Sequence, residues 1–572
     1  MSNILQDQFA GVFSDPSSYD KLDPSFLCAT STLNSISFDV TSISNAIDEL
    51  HLNSNVGEHG FPNCLLKSCK SSLSYPIFCI WKESFESGSI PAFLKSQTIV
   101  PVFKKGSKLH PKNYRPIALT SNIIKIFERV IRSQLVHYLE TNQLISKNQH
   151  GFRKGYSCIS ELLIHYDDIL SNMIHENADT DVIYLDFAKA FDKVDHDILL
   201  KKLKRYGIGG KLHQWLSTFL VGRSQTVIVD GFKSYNIIVS SGVPQGTVLG
   251  PILFLLFVND IELCLSNAKV RCFADDSRLF KSINSPEDVS SLQNDLSNVI
   301  RWAKENNMCL NEEKFQLLQH HVSSRNFKTM LALPFVYYEN CYFANESVID
   351  PSSSISDLGI VMQEDLGFSS HISDIVKRAR NKLSWALGVF KSRSEIVICT
   401  LYKSIVRPIL EYCCIVWNSE KILDISSVEA IQRTATSKIS SISHLNYWDR
   451  LKALNLMSLQ RRRERFIIMY MHKILKNKVP NDLSVEFYTN IRLGIKACIP
   501  SLPRFRSHLS AYDSSFAVKG PKLWNLLPKY LNCIDNFESF KQNLDNFILS
   551  YPDQPPVHGY TTANSNSLLC WV

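Results

Sequence analysis

Two neighbouring carboxylates, Asp275 and Asp276, lie between short apolar-rich runs at residues 269–273 and 277–280. Aspartate favours turns, so this pattern predicts a tight β-hairpin with the acid pair at its tip. Because successive side chains of a strand point to opposite faces, one aspartate would bind a metal ion directly while the other faces the side of a polymer end. A solvated turn is the alternative interpretation of an isolated acid pair.

A third carboxylate upstream has a matching setting. Residues 181–187 (DVIYLDF) predict a buried strand that ends on Asp186 and runs into a helix. A strand end beside a hairpin tip would bring Asp186 and Asp275 together, with the backbone carbonyl of Phe187 as a further oxygen ligand. Mg²⁺ prefers oxygen ligands, and two such ions about 3.5–4 Å apart stabilise the attacking and leaving oxygens of a phosphoryl transfer.

At these residues the chain resembles a known family. The segments that carry the resemblance are LDFAKAFD at 185–192, GVPQGTVLGP at 242–251 and FADD at 273–276. In this order they resemble motifs A, B and C of the reverse transcriptases of non-LTR (LINE-type, jockey-like) retrotransposons. The resemblance spans about residues 45–545 and is strongest at 98–315.

The resemblance implies an α+β right-hand polymerase with fingers, palm and thumb, followed by an additional helical C-terminal region. It implies an RNA-directed DNA polymerase that extends a DNA primer with dNTPs on an RNA template. Asp186, Asp275 and Asp276 would be catalytic. Two Mg²⁺ ions, with Mn²⁺ as a substitute, would be held by Asp186, Phe187 and Asp275.

The resemblance also implies a site for the incoming nucleotide in the fingers. Residues 98–107 and 113–119 predict two strands of one hairpin that present Lys104 and Arg115. A guanidinium fork and a lysine point charge suit a triphosphate. A plain surface hairpin is the alternative.

Three residues of motifs A and B complete the expected nucleotide site. Phe191 follows Asp186 by five positions, where an aromatic ring in this family excludes a 2′-hydroxyl; a core phenylalanine is the alternative. Gln245 and Gly246 lie in a glycine-bounded loop whose backbone can approach a ligand closely.

Template and primer contacts are expected from three segments. The basic and aromatic loop 149–157 suits phosphate contact and base stacking, although a structural loop is the alternative. The region 371–478 carries 20 Lys/Arg against eight Asp/Glu, which suits binding of an RNA–DNA duplex by backbone charge; a solvated basic face is the alternative. The residues assigned to template and primer are Arg153, Lys154, Gly242, Pro244, Arg461, Arg462 and Arg463.

Three weaker assignments concern the surroundings of the carboxylates. Residues 308–314 (MCLNEEK) resemble motif D, in which Lys314 would protonate the departing pyrophosphate; a plain surface lysine is the alternative. Asp192 would cap the helix that follows it. Residues 357–362 resemble the primer-grip strand of the family, without the usual preceding aromatic residue.

Composition is that of an ordinary intracellular globular protein. The 572 residues are 45% hydrophobic and 20% charged, and the longest apolar run is far shorter than the roughly 20 residues of a membrane span. The 15 cysteines lack zinc-ligand spacing and predict reduced thiols. No membrane partner is expected, and the family resemblance points to the nucleus, with the cytoplasm as the alternative.

We expect six segments. They are a partly disordered lead-in (1–45), an N-terminal extension with the fingers (46–178), a palm with motifs A to E (179–365), a basic helical thumb (366–480), a C-terminal helical region (481–551) and a disordered tail (552–572). Helices are predicted at 43–50 and 65–84, with a turn at 57–60 and a kink at Pro76. The lead-in is too short for the endonuclease of the family, so a separately encoded endonuclease or nucleic-acid-binding protein is an expected partner.

Two other functions remain as rivals. A catalytically silent or domesticated RNA-binding remnant would keep the fold without the reaction, but the intact carboxylates, Phe191 and Gln245 argue against decay. An RNA-dependent RNA polymerase would share the two-metal site, and Phe191 argues against it.

Overall fold

The computed structural model describes residues 1–14, 29, 31–53, 60–322, 341–481, 483, 487–489, 498–500, 510–551, 553 and 566–570. These residues form a mixed α/β structure. Its helices are α1 (Ser2–Ala10), α2 (Val40–Asp48), α3 (Asn63–Ser68), α4 (Lys70–Ser87), α5 (Ala92–Lys95), α6 (Asn122–Thr141), α7 (Cys158–His175), α8 (His196–Arg205), α9 (Gly210–Leu220), α10 (Gly250–Val258), α11 (Pro286–Glu305), α12 (Ser369–Val389), α13 (Glu395–Leu401), α14 (Arg407–Glu411), α15 (Ile422–Ser437), α16 (Tyr447–Ala453), α17 (Leu459–Leu475), α18 (Ser510–Asp513), α19 (Phe516–Asn525), α20 (Lys529–Asn532) and α21 (Phe537–Leu549).

The strands are short and lie mostly in antiparallel pairs. They are β1 (Ser96–Phe103), β2 (Tyr114–Leu119), β3 (Asp179–Leu185), β4 (Arg223–Val229), β5 (Phe232–Lys233), β6 (Ile237–Val239), β7 (Lys269–Phe273), β8 (Asp276–Ile283), β9 (Gln316–His320), β10 (Tyr342–Ala344), β11 (Ser347–Ile349), β12 (Ser354–Asp357), β13 (Ile360–Gln363), β14 (Phe487–Thr489) and β15 (Cys498–Pro500).

An antiparallel sheet of four strands, in the order β7-β8-β3-β9, occupies the middle of the chain. Its central strand β3 is buried on both faces because Val182 and Ile183 alternate between two separate hydrophobic clusters. The predicted buried strand before Asp186 is confirmed. The predicted hairpin is confirmed as well, since β7 and β8 pair with Phe273 opposite Asp276.

A second sheet has the order β2-β1-β4-β5, with β6 also paired to β4. Strands β1 and β2 form the predicted hairpin, in antiparallel register with Phe103 opposite Tyr114. Helix α1 packs on this sheet through Leu5 and Phe9. The lead-in therefore contains ordered helix at its start, whereas residues 15–28 lie outside the described part.

Helices α2, α4, α6 and α8 to α11 surround one face of the four-stranded sheet and share one hydrophobic core. The first two predicted helices are confirmed with shifted bounds. The break in the second falls at Cys69, between α3 and α4, and Pro76 lies inside α4. Of the predicted turn at 57–60, only Gly60 is described. Helix α11 begins with a capping box formed by Ser285 and Asp288.

The other face of the sheet packs against the C-terminal half. There α7, α12, α14, α15, α17, α19 and α21 share a second core with the β12–β13 hairpin. Residues 566–570, which the sequence places in a disordered tail, contact α17: Ser567 and the amide of Leu568 both donate to the Glu464 carboxylate. Within the described residues, none of the helices has the length and hydrophobicity to cross a membrane.

Candidate active site

The pairing of β3 with β8 brings the acidic residues of the two strand ends together. Leu185 lies opposite Ser277, so one further step of the antiparallel register sets Asp186 opposite Asp276. Asp275 stands in the two-residue turn between β7 and β8, after Ala274, whose φ is +59°. The prediction of a strand end beside a hairpin tip is therefore confirmed.

The electrostatics of the turn agree with this geometry. Burial raises the pKa of Asp275, and the negative charge of Asp186 adds to the shift. Burial raises the pKa of Asp276 to about 6, with the charge of Asp275 as the next cause. The charge of Asp186 thus disfavours ionisation of Asp275, and the charge of Asp275 disfavours ionisation of Asp276, as expected for carboxylates held close together.

Lys104 and Arg115 contribute the opposite sign. Both are exposed on the β1–β2 hairpin, and Arg115 and Lys104 lower the pKa of Asp275 through their charges. The hairpin end is closed by a bond from the Lys104 amide to the Asn113 carbonyl (2.8 Å). The structure thus brings the predicted cationic pair to the same side as the acid pair.

The segment after Asp186 pairs with the segment before Lys314. The Asp186 carbonyl accepts from the Asn311 amide (2.8 Å), and the Ala188 amide donates to the Cys309 carbonyl (2.8 Å). The bridge between Phe187 and Leu310 leaves the Phe187 carbonyl out of these two bonds. Lys314 Nζ lies 2.9 Å from Asp186 Oδ2 and forms an ion pair with it.

This donor set suits a hard divalent cation. Among the described residues no three His, Cys, Asp or Glu side chains converge closely enough to hold a metal ion unaided. Mg²⁺ keeps several waters and substrate phosphates and is usually bound by one or two carboxylates. Asp186 and the neighbouring Asp275, whose pKa the Asp186 charge raises, together with a carbonyl outside the local pairing, meet that requirement.

The loop of residues 241–247 is fixed from two sides. Gln245 Nε2 donates to Asp192 Oδ1 (2.9 Å), and the Gln245 carbonyl accepts from the Ala118 amide of β2 (2.7 Å). A Cβ on Gly246, whose φ is +120°, would lie 2.5 Å from the Ala118 carbonyl oxygen. Gly242, with φ +90°, is held equally closely against the Asp192 backbone. Glycine is therefore required at both positions.

The predicted cap role of Asp192 is wrong. Asp195 caps α8, because its side chain accepts from the amides of Asp197 and Ile198. Asp192 instead orients Gln245, and burial raises the pKa of this carboxyl to about 6. In the same loop the Pro244 carbonyl accepts from the Thr247 hydroxyl (2.9 Å).

Phe191 lies half-buried beside this loop. Its ring stacks on Phe254 of α10 with the centroids 4.2 Å apart, and it meets the edge of Phe152 at 6.0 Å. Phe152 belongs to the basic and aromatic loop, so the structure brings that loop to the ring expected to contact a nucleotide sugar.

The two basic residues of the 149–157 loop have different environments. Arg153 is bonded to the Glu140 carboxylate (3.0 and 2.8 Å) and to the Ser146 carbonyl (2.7 Å), and its guanidinium lies 4.1 Å from the Tyr156 ring centre. Its donors are therefore used inside the protein. Lys154 is exposed.

Within the C-terminal half, Arg461 and Arg463 lie in the interior, and Arg462 is half-buried. Arg461 pairs with Asp553 (3.2 Å), Arg462 with Glu411, and Arg463 Nε donates to Asn418 (3.1 Å). Arg461 and Arg463 are only 1% and 2% exposed. As arranged, they do not present guanidinium groups to a phosphate backbone, which corrects the assignment to template and primer.

Sequence reasoning missed three polar residues that contact the site elements. Glu128 of α6 accepts from the amides of Val248 and Leu249 (2.7 and 2.9 Å) at the start of α10. Arg278 of β8 pairs with Asp357 (2.6 Å), and Gln149 bonds the turn that carries Asp275. For Glu128 and Arg278 the available signal was a polar residue at a position where the apolar pattern of a helix or strand predicts burial, whereas Gln149 lies in the predicted loop and gives no such signal.

Comparison with known proteins finds similarity to the family that the motifs resemble. Residues 102–338 match the family "Reverse transcriptase (RNA-dependent DNA polymerase)". The chain is 27% identical over 489 residues to the RNA-directed DNA polymerase from mobile element jockey of Drosophila melanogaster, covering 81% of this chain and 50% of that protein. It is 28% identical over 338 residues to the probable RNA-directed DNA polymerase from transposon X-element of the same species, covering 58% and 36%.

A more distant relative is the retrovirus-related Pol polyprotein from type-1 retrotransposable element R2 of Popillia japonica. It is 27% identical over 233 residues, covering 38% of this chain and 31% of that protein. The chain spans about half the length, or less, of these curated relatives. The matched region holds the three acidic residues, the motif B loop and Lys314, so the resemblance drawn from the motifs is confirmed.

Proposed function

We propose that this chain, whose residues 102–338 match the reverse transcriptase family and which is similar to polymerases of non-LTR retrotransposons, is an RNA-directed DNA polymerase. Its substrates would be an RNA template, a DNA primer and dNTPs. The observation that carries the proposal is the convergence of Asp186 with the Asp275–Asp276 hairpin tip, beside the cations Lys104 and Arg115.

The two larger sheets support a right-hand arrangement. The four-stranded sheet with the acidic residues is the palm, and the β1–β2 hairpin with its exposed cations belongs to the fingers. The helices after residue 366, beginning with α12, form the thumb and the C-terminal region. This division uses the separate cores on the two faces of the palm sheet.

Asp186, Asp275 and the Phe187 carbonyl would hold two divalent ions, with Mg²⁺ as the proposed ion and Mn²⁺ as a substitute. When bound, the ions neutralise charge on the attacking 3′-oxygen and on the leaving pyrophosphate. The chain's own residues supply position: Lys104 and Arg115 bind the triphosphate, and Asp276 faces the primer side. Catalysis of this kind depends on placement and charge rather than on covalent chemistry by the protein.

Proton transfer would involve Lys314. In the structure its ammonium is paired with Asp186, which sets it at the side of the carboxylates. From there Lys314 would donate a proton to the leaving pyrophosphate. The ion pair is half exposed, so Lys314 can exchange Asp186 for a substrate oxygen at little electrostatic cost.

Sugar and base selection would rest on Phe191 and Gln245. The Phe191 ring is fixed by its stack on Phe254, so it would reject a 2′-hydroxyl by contact. Gln245, with its amide held by Asp192 and its backbone held by β2, would touch the nucleotide or the template base, with Gly242, Pro244 and Gly246 shaping the loop. Lys154 remains the exposed cation proposed for the template in the neighbouring loop.

The experiment that tests the proposal is primer extension on an RNA template with dNTPs and Mg²⁺. The variant with Asp275→Ala and Asp276→Ala should lose activity by about 10³-fold or more, since a catalytic metal supplies several kcal/mol. The matched control is Asp48→Ala with Glu49→Ala, an adjacent acid pair exposed at the C-terminal end of α2 and paired with Lys70 and Arg129. The control should keep full activity.

Two results would contradict the proposal. A folded wild-type protein that binds RNA but extends no primer would favour the RNA-binding remnant. Extension with NTPs in preference to dNTPs would favour an RNA-dependent RNA polymerase.

A further inference from the structure

The turn that carries Asp275 is held by a segment outside the palm strands. Residues 148–150 run parallel to β7: the Cys272 amide donates to the Asn148 carbonyl (2.8 Å), and the His150 amide donates to the Cys272 carbonyl (2.9 Å). This segment therefore extends the palm sheet at its β7 edge. The side chain of Gln149 and the backbone of Gly151 lie against the hairpin tip.

Gln149 binds the backbone of the turn at both of its polar groups. Its Oε1 accepts from the Ala274 amide (2.9 Å) and from the Gly151 amide (2.9 Å), and its Nε2 donates to the Ala274 carbonyl (3.3 Å). The side chain is 3% exposed. Because a buried amide that loses its partners is costly, these bonds hold the turn and the loop together.

Ala274 needs such support. Its φ of +59° lies in the left-handed region, which residues with a Cβ rarely adopt. Conformations of this kind persist only where the surroundings fix them. Ala274 directly precedes Asp275, so any relaxation of its backbone changes the direction of both aspartates.

The approach of the loop is equally specific. A Cβ on Gly151 would lie 2.5 Å from the Ala274 amide nitrogen and 3.0 Å from its Cα. Only glycine allows the loop to approach this closely. Gln149 and Gly151 therefore both fix the position of Ala274, Gln149 by hydrogen bonds and Gly151 by close backbone contact.

We propose that Gln149 is a positioning residue for the polymerase reaction: it fixes the backbone of Ala274 and thereby the direction of Asp275 and Asp276. The inference rests on the proposed function, because only a reaction at these carboxylates makes their direction matter. It also gives the 149–157 loop a role beyond template contact, since its first residue points into the palm.

The first test is Gln149→Met, which keeps the size of the side chain and removes its hydrogen bonds. Primer extension should show kcat reduced about 10- to 100-fold, the usual effect of losing a residue that orients a metal ligand, with KM for the dNTP changed much less. The matched control is Gln134→Met. Gln134 likewise bonds both polar groups of one residue's backbone: it accepts from the Ser37 amide (3.1 Å) and donates to the Ser37 carbonyl (2.7 Å). It lies on α6, far from the turn in sequence.

Two rescue experiments separate positioning from general stability. Ala274→Gly in the Gln149→Met background should restore part of kcat, because glycine adopts a positive φ without support. Gln149→Glu should be active only when its carboxyl is protonated, since the neutral acid can both donate and accept as the amide does. Its activity relative to wild type should therefore rise as the pH is lowered from 8.5 to 6.

A readout independent of activity is hydrogen exchange of the peptide that spans residues 272–277. Gln149→Met should speed exchange there, because the Ala274 amide loses its acceptor, while Gln134→Met should leave it unchanged. Wild-type kcat in Gln149→Met, or unchanged exchange at this peptide, would overturn the inference. An inactive wild type with faster exchange in the variant would instead overturn the proposed function and leave the support of the turn intact.

Discussion

At the scale of single residues, the proposed sugar selectivity depends on one ring. Phe191 is packed between Phe254 and Phe152, so a smaller side chain leaves space beside the motif A strand end. Phe191→Val should raise the ratio of NTP to dNTP incorporation by about 10- to 200-fold, the range for a change in one hydrophobic contact. Single-nucleotide extension with matched dNTP and NTP measures this ratio.

The control for that measurement is Phe343→Val. Phe343 lies on β10 and is partly exposed, so its truncation should leave the ratio unchanged. An unaltered ratio in Phe191→Val would show that Phe191 is an ordinary core residue.

A second residue-scale prediction concerns pH. Burial of Glu161 on α7 raises the pKa of its carboxyl from 4.5 to about 7. The folded state therefore binds this proton more tightly than the unfolded state does, so the contribution to stability is fully present below pH 4.5 and is lost as the pH rises to about 7. The loss is about 3 kcal/mol at 1.36 kcal/mol per pKa unit.

Glu161→Gln should remove this contribution, so unfolding free energies measured between pH 4.5 and 7.5 should fall less steeply than in the wild type. The pKa values of Asp192 and Asp276 are also raised, to about 6. These two groups still make the stability of the Glu161→Gln variant fall as the pH rises. Glu176→Gln, at the exposed end of the same helix, should leave the wild-type slope. Equal slopes in the two variants would contradict the assignment to Glu161.

At the scale of elements, the sequence was sufficient where the pattern is local. The apolar run in residues 181–187 predicts β3 as a buried strand, and the Asp-Asp turn predicts the β7–β8 hairpin, so their acids could be placed. Arg461 to Arg463 could not be placed in this way. Their partners, Glu411, Asn418 and Asp553, come from distant parts of the chain. From the local sequence alone, a run of arginines predicts an exposed face.

The connection of the four-stranded sheet to the β12–β13 hairpin is another long-range pairing. Arg278 of β8 and Asp357 of β12 are 1% and 4% exposed and lie 2.6 Å apart, with Glu161 at 3.6 Å from Arg278. Asp357→Asn leaves Arg278 without its main counter-charge in the interior. Removal of one partner of a buried pair costs about 3–5 kcal/mol.

The corresponding fall in apparent Tm is at least about 6 °C, taking roughly 2 °C per kcal/mol for a large domain. Thermal melts followed by circular dichroism measure it. Asp374→Asn removes an acid of the same type from an exposed pair with Arg378 on α12 and should shift Tm by no more than about 1 °C. A similar small shift for Asp357→Asn would show that the buried pair does not join the two elements.

At the scale of the whole molecule, the basic residues differ in burial as well as in their position along the chain. The region 371–478 is basic, but the arginines of α17 are buried or half-buried, with Arg462 paired with Glu411 and Arg463 bonded to Asn418. The cations that remain outside include those of α12. Lys377, Arg380 and Lys382 are exposed there, and Lys382 lies 5.1 Å from the ring centre of the exposed Trp385. Basic and aromatic side chains on one helix suit a nucleic-acid backbone and its bases.

This distribution predicts which cations set the salt dependence of duplex binding. Each cation that neutralises a phosphate contributes about 0.7 to 0.9 to the slope of log K against log salt. The variant with Lys377, Arg380 and Lys382 changed to Ala should therefore lower the slope for an RNA–DNA duplex by about 2 to 3, measured by fluorescence anisotropy across a KCl series.

A control variant has the same change in net charge, through replacement of the exposed Lys82, Lys522 and Lys529 by Ala. It should keep the wild-type slope. Because Arg463 is buried, Arg463→Gln should lower stability and leave the slope unchanged. If the control triple lowered the slope as much as the α12 triple, binding would follow net charge alone and α12 would not be the duplex-binding helix.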